Sequence, residues 1–69
     1  MDSEFSRRLR KLRAQKGVSQ QVAADFCQLS KTTVANYEQG KRIPSLETAA
    51  VLADYFGVPL DYLCGRKKN

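Results

Sequence analysis

The chain has 69 residues, 42% of them hydrophobic and 28% charged, and Lys+Arg 12 against Asp+Glu 7 leaves a net charge of +5. That length holds one compact domain around a single core and leaves no room for a cofactor fold beside a substrate domain. With no histidine and two cysteines, it also excludes His-containing zinc sites and a four-cysteine site within one chain.

In chain order, Phe5, Leu9 and Leu12 recur at the spacing of one helical stripe, and Gly17 follows as a C-terminal stop. A first helix over residues 4–16 is expected, with Arg7, Arg8, Arg10 and Lys11 on its polar side as a solvated face. Ser19 caps a short second helix from Gln20 to Cys27, whose small residues Ala23 and Ala24 allow close helix approach. Gln28 and Leu29 form a link, and Ser30 caps a third helix from Lys31 to about Gln39, closed by Gly40. Ser45 caps a fourth helix that runs through Leu46, Ala49, Leu52, Ala53 and Phe56 to Gly57, with Glu47 in its first turn. Past Pro59, Leu60 to Cys64 form a last short helix, and residues 66–69 read as a frayed basic tail. No strand pattern, internal repeat or linker interrupts this series. The class is therefore all-α, one domain over residues 1–69 with its core within 4–65 and a helix-turn-helix over 19–39.

Charge is unevenly placed. Residues 1–18 carry a net +4, residues 19–44 +1, residues 45–63 −3 and residues 64–69 +3. A basic small protein suits a polyanionic partner. No basic start leads into an apolar run, and no apolar stretch approaches a bilayer span, so a cytoplasmic setting with reduced thiols is expected. Cys27 and Cys64 then read as two small buried hydrophobes, although a bridge between them is sterically open.

Two short helices joined by a link of a few residues fit a helix-turn-helix, whose second helix projects its N-terminal residues into a DNA major groove. At roughly 100° per residue, Val34 and Tyr37 share the core face of that helix, which turns Thr32, Ala35, Asn36 and Gln39 outward. Lys31 projects from its N-terminal end. These residue types suit base edges: Lys31 reaches guanine O6/N7, Asn36 pairs with adenine, and the methyl of Thr32 or Ala35 meets a thymine methyl. Gln20 sits at the positive end of the second helix, where an amide can clamp a phosphate oxygen. Lys41 and Arg42 follow the third helix in a loop that reaches the backbone.

An ordered series of residues carries a resemblance. It runs from Leu9-Arg10-Lys11-Leu12-Arg13 through Gly17-Val18-Ser19-Gln20, Ala24, Leu29-Ser30-Lys31-Thr32-Thr33-Val34 and Tyr37-Glu38-Gln39-Gly40-Lys41. It continues through Pro44-Ser45-Leu46-Glu47-Thr48 to Phe56-Gly57-Val58-Pro59-Leu60-Asp61-Tyr62-Leu63, almost the whole chain without a gap. This series resembles the Cro/C1-type helix-turn-helix domains of phage repressors and bacterial regulators. The resemblance implies a five-helix, lambda-repressor-like fold and phosphate contacts from Gln20, Thr33 and Gln39. It also implies a structural ion pair between Arg13 and Glu38, and dimer contacts at Val58, Pro59 and Leu60 with Pro44 nearby.

The chain departs from the family pattern at four places. Ala23 stands where leucine is usual, and Gln28 stands where glycine is usual, so Gln28 must adopt a left-handed conformation or reshape the turn. Val22 and Phe26 are apolar where the family exposes its residues, and an inward roll of both would replace the volume missing at Ala23. Pro59 replaces a hydroxyl cap, which a helix N-terminus tolerates.

The expected function is a sequence-specific transcriptional regulator, a repressor, that binds a partly palindromic double-stranded DNA operator as a homodimer. The alternative is a protein-interaction module, such as an antitoxin or adaptor, that uses Val22 and Phe26 as its contact. Catalysis is not expected, because the chain offers no histidine, no phosphate-binding glycine loop and no paired carboxylates. No cofactor or metal is expected either.

Overall fold

Local signals place the helices. In the computed structural model, which describes residues 3–65, the elements are α1 (Glu4–Lys16), α2 (Gln20–Phe26), α3 (Lys31–Glu38), α4 (Leu46–Phe56) and α5 (Leu60–Leu63). A serine hydroxyl caps each of the first four. Ser3, Ser19, Ser30 and Ser45 accept from the backbone N–H of Ser6, Val22, Thr33 and Thr48, three residues on. Each bond satisfies one of the amides that a helix start leaves without an intrahelical partner. Ser3 and Ser6 answer each other in a capping box, and the Ser6 side chain is fully buried, a polar core position that hydrophobic spacing does not reveal. Pro59 precedes α5 with no side-chain cap bond.

The expected ends hold to within one residue, which is the ordinary fraying of helix termini. α2 closes at Phe26 with Cys27 as its cap, α3 at Glu38 with Gln39 as its cap, and α5 at Leu63 with Cys64 as its cap. Between α2 and α3 the chain takes the left-handed course, and Gln28 has φ 58°. Its N–H donates to the Asp25 carbonyl and that of Leu29 to the Ala24 carbonyl, at 3.3 and 2.8 Å, so two carbonyls in the last turn of α2 are satisfied. This is the paired C-terminal closure that a left-handed residue makes possible. The turn keeps the geometry that glycine would give, at a steric cost of roughly 1–2 kcal/mol for a residue with a Cβ.

α1 packs against α3, α4 and α5, and α2 lies on α3. Phe5, Leu9 and Leu12 meet Cys27, Tyr37, Leu52, Ala53 and Leu63 in one cluster, with Phe5 edge-on to Tyr37 at 5.7 Å between ring centres. Ala23 and Ala24 are both buried.

Three expectations are corrected by this packing. Val22 and Phe26 do not roll inward: Phe26 is 72% exposed and lies stacked on Tyr55 at 5.3 Å. Ala23 is itself buried, at 1% exposure, without help from Phe26. Leu46, in the first turn of α4, is likewise 72% exposed and lines an open groove with Phe5 and Ala49. Only one cysteine is a buried hydrophobe: Cys27 is buried, Cys64 is exposed, and both are free thiols. Arg8 and Arg10 are not merely solvated. Arg8 donates to the Tyr62 carbonyl and lies over the Tyr62 ring at 4.5 Å, tying α1 to α5. Arg10 donates to the Glu38 carbonyl, where a cation complements the negative end of α3. Arg7 pairs with Glu4 one turn back, and Lys11 is exposed. The expected basic tail at 66–69 lies outside the described residues.

Candidate nucleic-acid interface

The candidate surface is built on α3. Val34 and Tyr37 are buried against the core, as their spacing predicts, and this fixes the rotation of the helix. The opposite side carries Thr32 and Gln39, both exposed, with Ala35 and Asn36 half-buried between them and Lys31 exposed at the start. No acidic side chain shares that side, and its members are short or neutral, which leaves room for a partner to approach the helix closely. The N-terminal end of α3 follows directly on the α2 link, and Lys31 and Thr32 of its first turn are exposed.

Residues expected at phosphates occupy two settings. Lys41 and Arg42 are exposed immediately after α3, and the Lys41 N–H is held by the Asn36 carbonyl at 2.9 Å, so this loop is fixed to the end of the helix. Thr33 is half-buried, and its hydroxyl lies 2.8 Å from the Ser30 hydroxyl, within the cap of α3. Gln20 is half-buried at the start of α2, and its amide Nε2 donates to Glu38 Oε1 at 3.0 Å. The sequence gives no sign of that tie, because its partners lie 18 residues apart on different helices.

The Arg13–Glu38 pair is present. Arg13 Nε donates to Glu38 Oε2 at 2.6 Å and Nη2 to Oε1 at 3.1 Å, a two-pronged contact that fits the planar guanidinium to the carboxylate. The Arg13 Nη1 group also donates to the Val18 carbonyl at 3.0 Å. The hydrogen bond to Glu38 raises the Arg13 pKa above its ordinary value, although partial burial works against it. Glu38 is buried yet has every acceptor in use, so its charge is compensated rather than stranded.

The residues expected at a dimer contact are spread over different environments. Val58 and Leu60 are half-buried and pack on the core, whereas Pro59 is exposed and Pro44 is half-buried. Pro44 lines an apolar groove of about 380 Å³ with Phe5, Ile43, Leu46, Ala49 and Cys64. Ile43 is 84% exposed, and a lone apolar residue between Arg42 and Pro44 has no periodicity to mark it in the sequence. Among the described residues, no group of acidic or cysteine side chains could hold a metal ion, and no helix is long and apolar enough to cross a membrane.

Comparison with known proteins agrees with this geometry. A helix-turn-helix family model matches residues 9–63. The chain is 49% identical over 62 residues to the HTH-type transcriptional regulator AnsR of Bacillus subtilis, covering 90% of this chain and 53% of AnsR. It is 38% identical over 56 residues to the cryptic phage CTXphi transcriptional repressor RstR of Vibrio cholerae, covering 81% and 50%. The chain thus spans about half the length of the curated relatives it matches. Its fold superposes on the restriction-modification controller protein C.AhdI from Aeromonas hydrophila with a TM-score of 0.80 and 36% identity, covering 86% of each chain. By name these relatives are a transcriptional regulator, a transcriptional repressor and a controller protein. The family match reaches from within α1 to the end of α5 and includes α3 and both members of the Arg13–Glu38 pair, and the chain belongs to the Cro/C1-type helix-turn-helix family.

Proposed function

We propose that this chain is a sequence-specific DNA-binding repressor that occupies a partly palindromic operator as a homodimer. The observation that carries the reading is the uncovered side of α3, where Thr32, Ala35, Asn36 and Gln39 lie opposite the buried Val34 and Tyr37. Lys31, Thr32, Ala35 and Asn36 read base edges, and Gln20, Thr33, Gln39, Lys41 and Arg42 contact phosphates. One such helix spans only a few base pairs, so specificity requires two copies about one helical turn apart. The contact between copies lies at Pro59 with Val58 and Leu60, beside the reading helices rather than over them, and Pro44, which precedes the far end of α4, belongs to a separate surface.

Selection of bound duplexes from a random pool tests this. Enrichment of an inverted repeat with a fixed spacing is the expected result, and recovery of unenriched sequence overturns it.

A second reading makes the chain a protein-interaction module, on the observation that Val22 is 39% and Phe26 72% exposed on α2. Salt separates the two. DNA binding weakens steeply as salt rises, whereas an apolar protein contact barely responds.

A further inference from the structure

We infer that Glu38 is a positioning residue for DNA contact, setting the orientation of the Gln20 amide from inside the fold. The inference rests on the proposed function, which places Gln20 at a phosphate. Glu38 is buried, sits at the end of the reading helix, and is gripped by Arg13 of α1 through two bonds. Its Oε1 accepts a third, from Gln20 Nε2 at 3.0 Å. Arg10 holds the carbonyl of the same residue. Elements α1, α2 and α3 therefore converge on one carboxylate.

A carboxylate can only accept hydrogen bonds, so it decides which end of the Gln20 amide turns inward. The nitrogen must face Glu38, and one of its two hydrogens is used there. The other hydrogen remains to donate. Without this tie the amide rotates, and its carbonyl oxygen faces an anion as readily as its nitrogen does. A glutamine side chain also loses much rotational freedom when it is fixed on a partner. Here that loss falls on folding rather than on binding, which is the advantage of a contact organised in advance. The same carboxylate is anchored at the end of α3, so the phosphate contact and the base-reading helix share one fixed reference point.

The test is a double-mutant cycle on binding to a mixed-sequence duplex at low salt, because a phosphate contact does not depend on sequence. Gln20→Ala leaves Arg13 on Glu38, so the carboxylate keeps its charge partner. In the wild-type background it weakens binding by about tenfold, the worth of one hydrogen bond to a charged group. In the Glu38→Ala background, which offers Gln20 no acceptor, the same Gln20→Ala change costs less than about twofold if Glu38 acts through Gln20. Equal penalties in both backgrounds overturn the inference, since a purely structural Glu38 leaves the Gln20 contribution unchanged. Loss of salt-dependent binding by the wild-type chain would instead overturn the proposed function. Should Glu38→Ala fail to fold, as judged by its circular dichroism melt, the wild-type chain supplies the decision by NMR. One Gln20 side-chain amide proton is expected downfield in the free protein, with the other moving when the duplex is added. Two protons at the positions of a solvated glutamine overturn the inference.

Discussion

Arg13 and Glu38, 25 residues apart in sequence, join α1 to the end of α3 through two hydrogen bonds of 2.6 and 3.1 Å. The glutamate is buried and the arginine side chain 25% exposed, so removing either partner has unequal consequences. Arg13→Ala strands a buried carboxylate and should destabilise the fold by about 3–5 kcal/mol, whereas Glu38→Ala leaves an arginine that still reaches solvent and should cost less. Paired replacement by apolar residues of similar volume should be milder than Arg13→Ala. Denaturant unfolding of the three variants checks the order, and losses under about 1 kcal/mol throughout would mark the pair as inconsequential.

Base reading and phosphate contact respond differently to mutation. Lys31→Ala and Asn36→Ala should each cost about 1–3 kcal/mol on the selected operator and much less on random duplex. Lys41→Ala should weaken all sequences alike and reduce the salt slope by about one counterion per half-site. Binding isotherms at several salt concentrations separate the two classes. A Lys31→Ala or Asn36→Ala variant that loses equal affinity for both duplexes is not a reading variant.

Dimer contact at the turn before α5 has its own signature. Pro59 is exposed at the head of that helix, so Pro59→Glu leaves the core intact while placing like charges near the two-fold axis. Cooperative filling of the two half-sites should disappear, with binding to a single half-site preserved. Retained cooperativity would move the contact to another surface, with the exposed Ile43 beside Pro44 as the next position to change.

The left-handed Gln28 offers a gain rather than a loss. Its φ of 58° suits glycine, and Gln28→Gly removes the Cβ clash while adding freedom to the unfolded chain. The net expectation is a stabilisation of about 0.5–1 kcal/mol, the steric relief exceeding the entropic cost. A rise in the thermal midpoint with unchanged DNA affinity is the measurable outcome, and a fall would show that the turn carries no strain.

Burial pushes the Cys27 thiol pKa up, so the folded chain favours the protonated form. Below the ordinary cysteine value of about 8.5 both states hold the proton and the contribution is intact. As pH rises beyond that value the unfolded chain ionises first, and stability falls until the folded pKa is passed. Cys27→Ala should flatten this alkaline decline in unfolding curves. A thiol reagent should label the exposed Cys64 at once and Cys27 only through opening of the fold.

The sequence by itself determined the helices and the outward face of α3, because their causes are local. A serine three residues ahead of the amide it caps, a glycine at a helix end and the spacing of Val34 and Tyr37 act within one or two turns. The ordered motif also carried the family and the Arg13–Glu38 pair. What only the tertiary structure decided depends on which element lies across from a residue. Phe26 and Leu46 have the apolar character of core residues and remain exposed, since no described element covers them beyond the Tyr55 ring beneath Phe26. Arg8 and Arg10 have the character of a solvated face and instead bind carbonyls of α5 and of the end of α3. The Gln20 amide is directed by a carboxylate 18 residues away. Periodicity gives the direction of a side chain about its own helix axis, whereas a contact requires the placement of a second axis, which is set by packing the whole core.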